Sequence, residues 1–270
     1  MAVTIDRQYA EAFSRRSALM WLLLLNVAVF VALRLIAVAG MIGGNPSVGE
    51  GALAFVSLPH SPAQLFTSPL SPAVYMFAQY DPSHLMFNCL WLAWSGMVAW
   101  PVFGNRAMTY VYLAGGMGGA LAFWAYNAFV PASSAALLGA SAAVIAVAVA
   151  VTVVCPDKRM NMFFLPPVRL KWVTIAMLAV TVLLFSGHNA GSDAAHIGGA
   201  VAGLICGFML RNRSVSPAGV KAKDTSAATA AISDREQLDM LIDKIRRSGY
   251  ESLSPVERMI LYNLSKKLKQ

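Results

Sequence analysis

Apolar side chains fall into six long runs separated by short polar stretches: about Ala18–Ala39, Ser83–Phe103, Ala107–Phe129, Gly139–Val154, Leu170–Phe185 and Ala194–Leu210. A helix rises about 1.5 Å per residue, so about 20 residues cross a ~30 Å hydrocarbon core. The pattern predicts an all-α membrane protein, a bundle of six transmembrane helices. The fourth and fifth runs are short for a full crossing, which predicts helices that stop below the surface or sit in thinned bilayer. Three runs also carry small residues at every fourth position: Gly115 and Gly119; Ala142, Ala146 and Ala150; Gly199, Gly203 and Gly207. That spacing lets helix backbones approach closely, so Gly199 and Gly203 are read as packing positions, and Gly139, at the head of the fourth run, is read as a packing position with them.

Arg15 and Arg16 precede the first run, which is longer than a signal-peptide core and lacks a convincing small-x-small cleavage site. It is expected to remain as an anchor. The pattern changes beyond the sixth run. Residues 1–212 form the six-span domain, 213–232 a flexible linker rich in Ala, Ser, Thr and Lys, and 233–270 a cytoplasmic tail. In the tail, Leu238, Leu241, Ile242 and Ile245 make a stripe at helical spacing, and Gly249 is a natural stop. Ser254-Pro255-Val256-Glu257 is a capping box with proline at the first helical position, which predicts a second helix and a small C-terminal helical hairpin.

Composition agrees with a membrane protein. Of 270 residues, 57% are hydrophobic and 13% are charged, against roughly 25% charged in a soluble domain. The net charge of +8 does not point to nucleic acid, because no aromatic-interleaved basic face is present. Its placement is instead topological. Arg7, Arg15, Arg16, Arg106, Lys158, Arg159, Arg169, Lys171, Arg211 and Arg213 all fall on one side of a six-span layout. The connections Ile42–Pro82, Val130–Leu138 and Ser186–Asp193 hold no Lys or Arg. Both termini are therefore expected in the cytoplasm of a cell (inner) membrane protein. Arg34 lies in the outward half of the first span and is expected to snorkel to the outer interface. The largely apolar Ile42–Pro82 connection is expected in or on the outer leaflet. Cys89, Cys155 and Cys206 have no CxxC spacing and read as buried packing residues, without disulfide, metal or other cofactor.

Polar side chains near the ends of such spans usually have work to do. Ser141 opens the fourth run after Gly139 and Ala140, beside the unpaired N–H groups and positive dipole end of a helix. His196 opens the sixth at similar depth. A serine and histidine that touch can run acyl transfer, the imidazole taking and returning the proton. Asp193, one turn earlier, reads as the N-cap of the sixth helix. His84 and Asn88 share one face of the second run at i and i+4, and both can donate to an oxyanion. No carboxylate accompanies them, so a metal site is not expected.

His84-Leu-Met-Phe-Asn88, Gly139-Ala-Ser141 and Ala195-His196-Ile-Gly-Gly199 resemble, in order and spacing, the motifs of the rhomboid family of intramembrane serine proteases. The resemblance covers roughly residues 17–212. It implies a Ser141–His196 dyad without a catalytic acid, and an oxyanion hole of His84, Asn88 and the Ser141 backbone N–H. It implies substrates that are transmembrane helices of membrane proteins, admitted past span five and the loop before span six. The lipid bilayer is the other partner, while the tail's partner is not legible. The chain departs from the family in three places. Ala142 stands where glycine is common, Ile145 where an aromatic ring is frequent, and no Trp or Arg occurs between Ile42 and Pro82. The first two favour the alternative, an inactive rhomboid-like protein that binds transmembrane helices without cutting them.

Overall fold

The computed structural model describes residues 17–130, 136–162, 165–183, 190–214 and 234–249, together with 253 and 261. Helix α1 is Ala18–Ile42, α2 Ser47–Val56, α3 the single turn Ser71–Val74, and α4 Pro82–Phe129. Helix α5 is Ser141–Val154, and strands β1 (Arg159–Met162) and β2 (Leu165–Arg169) follow it. The remaining helices are α6 (Leu170–Leu183), α7 (Ala190–Ser214) and α8 (Asp234–Ser248). The chain forms two compact units, Met1–Ser216 and Pro217–Gln270.

The first unit is an all-α membrane bundle. Among the described residues, α1, α4 and the segment Ala190–Asn212 are long and apolar enough to cross a membrane. The 48 residues of α4 are two helices in series. They break at Gly104, whose φ of 73° and ψ of 173° leave helical space, three residues after Pro101. Proline removes a helical hydrogen bond and glycine accepts the left-handed φ, so the turn needs no longer loop. The two limbs, 82–103 and 105–129, are the second and third predicted spans. Asn105 finishes this corner: its Oδ1 accepts from the Ala18 N–H at 2.8 Å and from Trp100 Nε1 at 2.5 Å.

Helix α5 has 14 residues, about 21 Å at helical rise, well short of a crossing. It sits at the centre, with every residue from Ala142 to Val151 buried. The small-residue stripes meet there. A Cβ on Gly199 would lie 2.3 Å from the Ala142 carbonyl oxygen, and one on Gly203 2.6 Å from that of Ala146. One on Gly115 would lie 2.2 Å from the Ala146 Cβ. Backbones this close are possible only without side chains, and dispersion between them replaces the hydrophobic drive that lipid cannot supply.

Several expectations are corrected or extended. The connection after α5, read from the sequence only for its charges, is an antiparallel hairpin pairing Arg159 with Arg169, with Asp157 accepting from Lys171 at 2.7 Å. Short runs of mixed polarity carry no strand period, which hid it. Helix α7 begins at Ala190, four residues before the expected start, so Asp193 lies inside its first turn and is not the N-cap. Arg34, expected at the outer interface, also has a specific partner. Its guanidinium donates to the Tyr80 carbonyl at 2.7 Å and stacks over the Tyr80 ring. That contact fastens the long first connection to α1, although the connection itself holds no Trp or Arg. The Trp124 indole donating to Pro59, the Tyr75 hydroxyl donating to Gly116 and the Leu58–Leu137 bridge hold the rest. In the second unit, α8 buries Leu241 and stops before Gly249 at φ 76°. Of the second predicted tail helix only Leu261, which is helical, is among the described residues.

Candidate active site

Ser141 is the first residue of α5. The residue before it, Ala140, provides no side-chain cap, so the first-turn N–H groups keep their donor capacity and the positive end of the helix dipole. Gly139 is not a helical packing residue as expected but the hinge just ahead of the helix. Its φ of 134° belongs to glycine, and a Cβ there would stand 2.9 Å from the His84 ring. One residue thus turns the chain into α5 and admits His84 beside it.

His196 stands in the second turn of α7. Its Nε2 lies 2.6 Å from the Ser141 Oγ, within the range of a good hydrogen bond. With the serine proton pointing at Nε2, the ring proton sits on Nδ1. Among the described residues, His196 Nδ1 and Asp193 Oδ2 are buried polar atoms without a partner. Among the described residues no carboxylate hydrogen-bonds the imidazole. The contact of α7 on α5 orients it, because Gly199 rests on the backbone of Ala142, the residue after the serine. The Ala142 methyl is accommodated in turn, since it faces Gly119, where an added Cβ would come within 2.6 Å of it.

His84 and Asn88 are placed differently from each other. His84 is exposed at the head of α4, where Asp81 caps the helix by accepting from the His84 N–H at 2.8 Å. Asn88, one turn on, is buried, and its Nδ2 donates to Gln79 Oε1 at 2.8 Å. Gln79 leads to Asn26 and Tyr112, three residues that sequence reasoning did not single out. The available signal was Asn26, an amide inside an apolar run; Gln79 lies in a connection, where glutamine is unremarked.

The Ser83 hydroxyl and the His84 N–H hold the Asp81 carboxyl below its ordinary pKa. A lowered folded-state value means stability fully present above the unfolded value, about 3.9, and lost as pH falls through the folded one. Asparagine caps a helix as well as aspartate but carries no charge. The Tm advantage of wild type over Asp81→Asn is therefore expected to hold steady from pH 7 to pH 5 and to shrink below about pH 4. Thermal melts in detergent across that range check it, and a difference independent of pH counts against this role of the charge.

The family model described as Rhomboid domain matches residues 63–213, a span that holds His84, Asn88, Ser141 and His196. No curated protein matches the chain.

Proposed function

The chain belongs to the rhomboid family, and we propose that it is an intramembrane serine endopeptidase that cuts transmembrane helices of membrane proteins. The observation that carries this reading is the 2.6 Å approach of Ser141 Oγ to His196 Nε2. Nε2 takes the hydroxyl proton as Oγ bonds to the substrate carbonyl carbon. The resulting oxyanion is held by the Ser141 N–H, His84 and Asn88. The imidazolium returns its proton to the leaving amine, so the peptide bond breaks and an acyl-enzyme remains. Water then attacks the ester, giving its proton to His196, and the second collapse restores the serine hydroxyl.

The Lys and Arg distribution puts both termini in the cytoplasm of the cell membrane and the dyad toward the opposite face. The 14-residue length of α5 supports a serine lying below that surface. Span five and the loop before span six, most of which lies outside the described residues, form the entry for substrate. Peptide bonds inside a helix are shielded, so substrates with glycine or other poor helix formers near the cut are preferred. Ala142, the departure that favoured a non-cutting binder, fits against Gly119 and Gly199, which weakens that alternative.

A serine-directed fluorophosphonate is expected to label wild-type protein in membranes and to leave Ser141→Ala unlabelled. The same pair should differ in release of fragments from a transmembrane peptide carrying a glycine-rich segment. Equal labelling of the two proteins refutes the assignment.

A further inference from the structure

We propose that Gln79 is a positioning residue for the oxyanion hole, fixing which end of the Asn88 amide faces the reacting carbonyl. The proposal rests on the protease reading of Ser141 and His196. Gln79 lies in the short connection between α3 and α4 and is fully buried. A buried amide is costly unless its groups are bonded, so its partners dictate its orientation.

The direction of every donor in this chain of side chains follows from its far end. The Tyr112 hydroxyl has one proton and gives it to the Met76 carbonyl at 2.8 Å. Toward Asn26, 3.0 Å away, it can only accept. The same end of Asn26 also lies 2.8 Å from the Leu22 carbonyl. Two acceptors contact that end, so it is the nitrogen, whose two hydrogens both are used. Asn26 Oδ1 must then receive Gln79 Nε2, at 3.0 Å, and Gln79 Oε1 must receive Asn88 Nδ2, at 2.8 Å. Two backbone carbonyls thereby set the polarity of four side chains.

The consequence falls on Asn88. With its nitrogen toward Gln79, one Nδ2 hydrogen is held and the second remains for an oxyanion. The flipped amide would press its oxygen against Gln79 Oε1 in a site of low dielectric, where unpaired acceptors repel and cost most. It would also offer oxygen in place of N–H to the developing negative charge. Gln79 excludes that flip without touching substrate.

Oxyanion donors act in the transition state, so loss of their alignment lowers kcat and leaves KM nearly unchanged. Removing one such donor outright costs about 10²–10³-fold in kcat. Gln79→Leu, which disorders the donor but keeps it, is expected to cost about tenfold, within that ceiling. The deciding measurement is a double-mutant cycle on the full-length protein, cleaving a fluorogenic transmembrane peptide in liposomes. In an Asn88→Ala background, Gln79→Leu should lower kcat no further, because a residue acting through Asn88 has nothing left to position. A merely structural role predicts the same fractional loss in both backgrounds, and that result, or a change confined to KM, overturns the proposal. Should Gln79→Leu not fold, Gln79→Asn, too short to bond Asn26 and Asn88 together, is put through the same cycle. A wild-type protein with no Ser141-dependent cleavage removes the protease reading itself, whereas active wild type with matched losses removes only the role of Gln79.

Discussion

Replacing His196 with alanine is expected to lower the turnover of a cleavable transmembrane peptide by about 10⁴–10⁶-fold. A neutral serine hydroxyl is a poor nucleophile, and Nε2, 2.6 Å from Oγ, is placed to remove its proton. Without the ring, neither attack nor protonation of the leaving amine is assisted. Binding and the oxyanion donors remain, and they set the floor. Because the two residues act as one unit, Ser141→Ala combined with His196→Ala should be no slower than Ser141→Ala alone. Single-turnover cleavage in liposomes measures both effects, with thermal melts to show that the variants are folded. A His196→Ala protein retaining a tenth of wild-type turnover would require another base.

The parts of this molecule that could be read from the sequence are those governed by composition and period. The apolar runs gave the bundle because lipid forces each buried backbone into a helix. Gly199, Gly203 and the Ala142–Ala146–Ala150 series announced contact surfaces by spacing alone, and these are the surfaces that meet. Ser141 and His196 stood out as polar groups at matched positions on two such helices, and the structure brings them together. Other features depend on tertiary partners that no local pattern encodes. The start of α7 moved because Gly191, Ser192 and Asp193 carry no apolar signal and yet extend the helix. Arg34 has a specific acceptor, Tyr80, forty-six positions away, and that partner could not be read from span one. The buried amides are the clearest case, since Asn26, Gln79 and Asn88 come from three separate segments and acquire meaning only once these lie side by side.

The small-residue contact also couples stability to chemistry, and Gly199→Ala tests that coupling. The added methyl would lie 2.3 Å from the Ala142 carbonyl oxygen and 2.8 Å from the Ala142 Cα and carbonyl carbon. All three atoms are backbone, so no side-chain rotation relieves the clash, and α7 must move off α5. Overpacking of this kind costs about 1–3 kcal/mol. The displacement falls beside the dyad, because Ala142 follows Ser141 and Gly199 is one turn beyond His196. A misplacement of about 1 Å costs on the order of 10²-fold in rate, and it would carry Oγ–Nε2 beyond hydrogen-bond range. Gly199→Ala should therefore lower both Tm and kcat. Gly207→Ala meets Ala150 and Val153 at 2.8–3.0 Å, two turns farther down the same helix, and should lower Tm while sparing more of kcat. Gly51→Ala, on exposed α2 with nothing within 4 Å, should hold or raise Tm, since glycine inside a helix is about 0.5–1 kcal/mol worse than alanine. Melting curves and cleavage rates for the three variants give the ordering. If Gly199→Ala keeps full activity while losing stability, the grip of α7 on α5 does not set the serine–histidine geometry.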